Sequence, residues 1–309
     1  MRKLTVIFII GPTAIGKTDF SIKLAKRVRG EIISADSMQV YRGMRILSQA
    51  PTSREKKTVR HHLVEFLDPG KEYSVASFRD KASRLIASMI ARKRTPIVAG
   101  GSGLYMKVLV DGLFPSPPAD MKYRRSLARY IVKDGSAKLH KKLAAIDPVA
   151  AGKIHPNDAR RIIRALELYN STGRTMTELK AQTHGLKDQY NIKIIGLIRP
   201  RNDIYKRIED RIDRMFDENI VGEVKRLRKK RLSKTANAVL GYKEIAGYLD
   251  GEYDIDTARS LMKLNTRHFA KRQMTWFRAD GRIRWFDLSK MGEKEIIRKV
   301  CINLKSDRR

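Results

Sequence analysis

Residues 4–10, LTVIFII, run straight into Gly11–Thr18, GPTAIGKT, and this junction limits the possible folds more than any other stretch of the chain. A continuous apolar, β-branched run ended by a glycine reads as a central strand of a parallel sheet, which is buried on both faces. GPTAIGKT satisfies G-x-x-x-x-G-K-[ST] at every fixed position, and a helix is expected directly after it, from Thr18 to Arg29, with Phe20, Leu24 and Val28 at i, i+4 and i+8. Between a strand and a helix, the turn Gly11, Pro12, Thr13, Ala14, Ile15 and Gly16 curls its backbone amides around phosphate oxygens. Lys17 then neutralises their charge, and Thr18 can offer its hydroxyl to a magnesium ion.

The alternation continues. A second strand-like run, Glu31–Ala35, stops at Asp36, and a third, Pro96–Ala99, stops at Gly100 and Gly101 after a helical stretch from Ser77 to Lys93. Strand and helix in turn predict an α/β fold, a parallel sheet of the P-loop NTPase kind with helices on both faces and ligands at the carboxyl ends of its strands. Around Pro115, Pro117 and Pro118 the pattern breaks, and residues 121–185 read as wholly helical and basic. The expected organisation is a catalytic core of residues 1–114 and 191–309 interrupted by an inserted all-helical domain, 115–190. Asn191–Ile198 reads as a late strand returning to the sheet. Ile204, Ile208, Ile212 and Met215 or Phe216 then mark a long amphipathic helix, and Lys225–Arg231 is polybasic.

Charge narrows the partner. Sixty-six Lys and Arg against 33 Asp and Glu leave +33 on 309 residues, a self-repelling excess suited to a polyanion such as RNA. The single cysteine, Cys301, reads as part of a polar C-terminal tail; it allows no internal disulfide framework and no cysteine zinc site, and suits a reducing cytoplasm. Residues 4–10 follow two basic residues, as a signal sequence might begin, but no small-residue cleavage pattern follows. No other apolar run approaches the roughly 18 residues a membrane helix needs, so no membrane partner is expected.

Asp36 reads as the only carboxylate at a strand end, in DSMQVYRGM (36–44), where Ser37, Gln39 and Tyr41 are spaced to line a cleft. Spacing alone suits a helix N-cap equally well, so both roles stay open. No strand ends in the acidic pair of an ATPase. PIVAGGSGLY (96–105) adds a glycine-rich turn with Ser102 near the same sheet edge. HPNDARRIIRALE (155–167) sets Arg160, Arg161 and Arg164 within about one helical turn, which suits phosphates or a solvated face. KRQMTWFR (271–278) mixes basic groups with Trp276 and Phe277, a combination found on nucleic-acid surfaces and in cores. His61 and His62 have no further ligand at metal spacing and read as structural. A small-molecule P-loop kinase and a non-catalytic RNA-binding protein both remain open on these features.

In order along the chain, GPTAIGKT, DSMQVYRGM, HHLVE, YSVASF, PIVAGGSGLY, HPNDARRIIRALE, RIEDR, GYKE and KRQMTWFR resemble the bacterial tRNA dimethylallyltransferase (isopentenyltransferase) family over nearly the whole length. The resemblance implies transfer of a dimethylallyl group from dimethylallyl diphosphate to the exocyclic amine of the adenosine 3′ of the anticodon. A related adenylate isopentenyltransferase would act on free AMP, for which the helical insertion and basic C-terminal third are superfluous. Carried over, Gly11–Thr18 and Arg211 would hold the diphosphate with Mg2+ at Thr18, and Asp36 would be the general base. Ser102 and Arg124 would lie near the reaction channel. The anticodon stem-loop of tRNA would be touched by Asp36, Ser37, Met38 and Gln39, by Arg160, Arg161, Ile162, Ile163 and Arg164, by Ala238 to Leu240 with Gly241, Tyr242 and Lys243, and by Lys271, Arg272, Gln273, Trp276 and Arg278. The chain is expected to act as a monomer. It departs from the family in two places: Ser102 stands where threonine is usual, and RILSQAP (45–51) stands where the family reads Asp-Ile-Gly-Thr-Ala-Lys-Pro.

Overall fold

The computed structural model describes residues 3–114 and 117–306; Pro115, at the expected break, lies outside them. The chain divides into two compact units, one of Met1–Val110 with Leu186–Arg309 and one of Asp111–Gly185. The second therefore begins and ends a few residues before the expected 115–190.

The first unit is built on strands β1 (Thr5–Ile10), β2 (Gly30–Ser34), β3 (His61–His62), β4 (Thr95–Gly100), β5 (Asn191–Ile198) and β6 (Ile283–Asp287), all parallel, in the order β3-β2-β4-β1-β5-β6. β1 lies inside the sheet, and its Val6, Ile7, Phe8 and Ile9 are fully buried, as a two-sided apolar strand requires. Ile7 pairs with Ile97 on one side and Lys193 on the other. β6 does not stand out in the sequence: Ile283 and Phe286 are buried while Arg284 is exposed, the short and broken pattern of an edge strand. It ends at Asp287, so Asp36 is not the only carboxylate at a strand end; Asp287 accepts from the backbone and hydroxyl of Ser289 and shapes a local turn.

Helices α1 (Lys17–Val28), α2 (Arg45–Ser48), α3 (Ser53–Thr58), α4 (Val75–Ala91) and α5 (Gly103–Asp111) precede the second unit. In α1, Phe20 and Leu24 are fully buried and Val28 packs against the core. The second unit consists of α6 (Met121–Asp134), α7 (Ser136–Ile146), α8 (Pro148–Ala151), α9 (Ala159–Thr172) and α10 (Met176–Ala181), around Leu139, Leu143, Ile162, Leu166, Leu168 and Leu179. After it come α11 (Leu186–Gln189), α12 (Arg201–Asp217), α13 (Ile220–Arg228), α14 (Tyr242–Leu249), α15 (Ile255–Arg278) and α16 (Glu293–Ser306). α12 buries Ile204, Ile208, Ile212 and Met215, the stripe its spacing predicts. The polybasic run largely belongs to α13, anchored by buried Val224 and Leu227. Cys301 is not in a tail: it lies on α16, whose Ile296, Val300 and Leu304, at i, i+4 and i+8, are buried in the main core.

Candidate functional site

Gly11 and Gly16 have φ of 149° and 103°, a backbone that L side chains rarely adopt, and a Cβ on Gly11 would meet the Leu197 carbonyl oxygen at 2.7 Å. The loop they shape opens α1 and lines a cleft of about 860 Å³ at the carboxyl ends of β1, β2 and β4. Lys17 Nζ donates to the carbonyl oxygens of Gly11 (2.9 Å) and Pro12 (2.7 Å). Burial, then the nearby Arg211 charge, lowers its pKa to about 7, against the opposing pull of Asp36. Burial likewise lowers Arg211 to about 10. Arg211 donates through Nη1 to Thr13 Oγ1 (2.9 Å) and through Nε to Gln49 Oε1 (2.8 Å), and Arg207 Nε donates to the Ala14 carbonyl (2.8 Å). With Arg214 these cations line the cleft, and among the described residues the hydrogen bonds of Lys17, Arg207 and Arg211 all end on neutral oxygens.

Asp36 faces them. β2 is tied to β4 by Ala35 N–H donating to Ala99 O (2.8 Å), and a Cβ on Gly100 would meet Ala35 O at 2.2 Å, so glycine is needed for the close approach. Asp36 Oδ1 then accepts from Met38 N–H at 2.9 Å. The residues after it form turns and no helix, so the N-cap alternative gives way to an Asx turn that leaves the carboxylate lining the cleft. Ser37, Met38, Gln39 and Ser102 line the same space. Tyr41, expected there, is fully buried in the core, where its hydroxyl meets Ser233.

The far wall comes from late in the chain: Ala238, Val239, Leu240, Phe269, Arg272, Gln273 and Trp276, with Leu104 of α5. Gln273 is buried and joins two loops, accepting from Thr13 N–H (2.8 Å) and donating to Gly101 O (3.0 Å). A Cβ on Gly103 would meet the Trp276 ring at 2.3 Å, so this glycine is what allows the indole to lie there. Phe277 is core, while Lys271 and Arg278 are exposed beyond the cleft lining. Gly241 is buried at the start of α14, followed by partly buried Tyr242 and exposed Lys243.

The profile of the IPP transferase family matches residues 39–280. This chain belongs to that family. It is 44% identical over 96% of its length to a tRNA dimethylallyltransferase of Halothermothrix orenii, covering 91% of that protein, and 45% identical to one of Carboxydothermus hydrogenoformans, with 96% of each chain covered. Its fold matches the crystal structure of a tRNA isopentenylpyrophosphate transferase from Bacillus halodurans at a TM-score of 0.73, with 39% identity over 99% of this chain and 98% of that one. It also matches a eukaryotic dimethylallyltransferase, described as acting on tRNA, at a TM-score of 0.76 with 28% identity, over 92% of this chain and 74% of that one.

The remaining residues singled out by the family pattern belong to the second unit. Glu167, 1% exposed, accepts from Arg124 Nε and Nη2 (both 2.8 Å), Arg164 Nη1 (2.5 Å) and Asp120 N–H (2.8 Å). Burial pushes its carboxyl up, but the two arginines and the amide outweigh that and hold it below the usual carboxylate range. Arg160 and Arg161 are exposed. Ile162 is fully buried, so its side chain holds the helix to the core and presents no surface to RNA, a correction to the family-based expectation, while Ile163 is partly buried against the same core.

Sequence reading missed Arg207 and Arg214, although their signal is present: with Arg211 they recur at i, i+4 and i+7 along α12, on the face beside its buried stripe. The family pattern names Gln273 as a tRNA contact, whereas its amide is spent on Thr13 and Gly101, and nothing local marked Gln49 or Glu223. The last is buried and accepts from the Ile46 and Leu47 amides (3.0 and 2.8 Å), seating α2 in the unusual 45–51 loop.

Proposed function

We propose that this protein transfers the dimethylallyl group of dimethylallyl diphosphate to the exocyclic amine of the adenosine 3′ of a tRNA anticodon, releasing diphosphate. The observation that carries the reading is one cleft in which a carboxylate, Asp36, faces cations held only by neutral oxygens, with an aromatic and aliphatic wall opposite. Those cations suit an anionic leaving group, the wall suits a prenyl chain and a base, and the dimethylallyltransferase activity by which the relatives are known joins the two.

The adenine amine is a weak nucleophile, so the residues' work is positioning and charge stabilisation. The nitrogen lone pair forms a bond to the allylic carbon that carries the diphosphate, the carbon–oxygen bond breaks, and its electron pair leaves on the diphosphate. Lys17, Arg211 and the loop amides stabilise that oxygen, and Asp36 accepts the amine proton. Ser102 offers its hydroxyl within the same space. In the helical unit, Arg124 donates Nε and Nη2 to Glu167 and serves as scaffold, while Arg160 and Arg161 serve tRNA contact. The adenosine leaves its stack, at a cost of a few kcal/mol that is lower in a loop than in a duplex.

Magnesium fits the donors present. The Thr18 hydroxyl lines the cleft beside Lys17, and among the described residues no group of three or more His, Cys, Asp or Glu could cage a metal, so an ion there would take most of its ligands from diphosphate and water. Bound magnesium would add charge neutralisation to the leaving group.

The test is incubation with labelled dimethylallyl diphosphate and unmodified tRNA. Label in RNA is expected; label in free AMP, or steady ATP hydrolysis without label transfer, would overturn the proposal.

A further inference from the structure

Where this chain departs from the family pattern, at 45–51, Gln49 stands in the place of the family's alanine. We infer that Gln49 is a positioning residue for the diphosphate site, which fixes the guanidinium of Arg211 so that its remaining N–H groups face the anion; this rests on the diphosphate reading above.

Gln49 Oε1 accepts from Arg211 Nε at 2.8 Å, and Gln49 Nε2 donates to the Ile46 carbonyl at 2.8 Å. Turning the amide over would set a donor against the Arg211 N–H and an acceptor against the carbonyl, so the two partners together define its orientation. Its backbone is equally held. Gln49 ends α2 with φ 52°, and its carbonyl accepts from Gln39 Nε2 at 3.0 Å; Gln39 Oε1 in turn accepts from Ser34 Oγ of β2 at 2.8 Å. At its other end α2 is seated on the buried Glu223 carboxylate.

Arg211 is thereby gripped at two points, Nε by Gln49 and Nη1 by Thr13 of the phosphate loop. Both acceptors are neutral oxygens. They orient the guanidinium without cancelling its charge, which a carboxylate at either position would do. A guanidinium has five N–H donors, and those left over have one defined direction instead of many. Both polar ends of the Gln49 amide are already engaged, so it acts on an anion through Arg211.

The test is a double-mutant cycle read by calorimetric binding of inorganic pyrophosphate to the full chain: parent, Gln49→Met, Arg211→Ala and the double variant. Methionine keeps the length and removes both side-chain bonds. Each single change should weaken pyrophosphate binding by roughly tenfold or more, and the double variant should bind within about twofold of Arg211→Ala alone. Gln49→Glu, which restores an acceptor but cancels charge, should remain weak. In turnover the KM for dimethylallyl diphosphate should rise while that for tRNA stays at the parent value, a split that a general folding defect does not produce. Gln49→Asn suits the left-handed backbone and falls one methylene short of Arg211, so it should repeat the result independently. Parent-like binding by Gln49→Met and Gln49→Asn, or effects that add in full in the double variant, would overturn the inference. A parent that binds pyrophosphate but does not prenylate tRNA would sink the proposed reaction and leave the cycle readable; a parent that does not bind pyrophosphate would sink both.

Discussion

Two groups of cations in this chain look alike in sequence and are held in opposite ways. In the helical unit, Arg124 and Arg164 both donate to the buried carboxylate of Glu167 on α9. In the cleft, Lys17, Arg207 and Arg211 donate to carbonyl, hydroxyl and amide oxygens. A buried carboxylate in contact neutralises an arginine and makes it scaffold, whereas neutral acceptors orient a cation and leave its charge available. The count of basic residues therefore says less about where an anion goes than the kind of oxygen each one touches.

The largest effect should come from Asp36, whose charge acts on both Lys17 and Arg211. Asp36→Asn keeps the Asx turn to Met38, so fold and substrate binding should persist while single-turnover prenyl transfer falls by about 10² to 10⁴. A parent-like rate would make Asp36 a turn former only and place the base elsewhere.

Glu167→Ala tests the scaffold side. It leaves Arg124 and Arg164 without their shared partner and should cost about 3–5 kcal/mol in denaturant unfolding, with pyrophosphate affinity unchanged. Because the Glu167 carboxyl is held below its ordinary value, its contribution is present above the unfolded carboxylate pKa of about 4.3 and is lost as pH falls through the folded value. Acid titration of parent and variant should therefore converge at low pH. A variant as stable as the parent would dissolve the distinction between the two groups.

Lys17 tests the cleft side. Its pKa of about 7 reflects burial beside Arg211, and a bound diphosphate favours the charged form and raises it. The sign follows: below about 7 the free lysine already carries its proton, while above it binding must take one up, so affinity should fall by up to about tenfold per pH unit. Calorimetry in buffers of different ionisation enthalpy should show this uptake, and Lys17→Met should abolish it. No uptake in the parent would mean that Lys17 does not meet the anion.

The smallest effect separates the exposed arginines of the helical unit from those on Glu167. Arg160→Ala and Arg161→Ala should each weaken tRNA binding a few-fold and lower the salt slope by about one, with stability within about 0.5 kcal/mol of the parent. Arg164→Ala should also destabilise the unit, because its partner is buried. Equal stability losses at all three positions would erase the difference.

Much of this was legible in the sequence because its signals are local. Strand, glycine loop and helix at residues 4–28 form one contiguous pattern, and Asn191–Ile198 is a strand at the span its apolar run predicts. β6 and α16 escaped because their buried positions alternate with charged ones near the chain end, where IRWFD and Cys301 resemble tail. Tyr41 shows the reverse error: a polar tip in a cleft-forming segment turned out to be core, since burial depends on what packs from 192 residues away. Gln49 could not be found by pattern, and Gln273 was placed against tRNA instead of between two loops, because a glutamine acquires its role from the groups that tertiary structure brings to its amide.

The strand order carries a consequence for synthesis. One of the two neighbours of β1, β5, follows the entire helical unit, and the Gln273 amide that ties the phosphate loop to Gly101 comes 260 residues after Thr13. Until β5 emerges from the ribosome, the nascent sheet presents Val6 to Ile10, its most apolar strand, as an open edge of the kind that recruits other chains. The phosphate loop is thus completed long after it is translated, and in the interval the growing sheet keeps that apolar edge open.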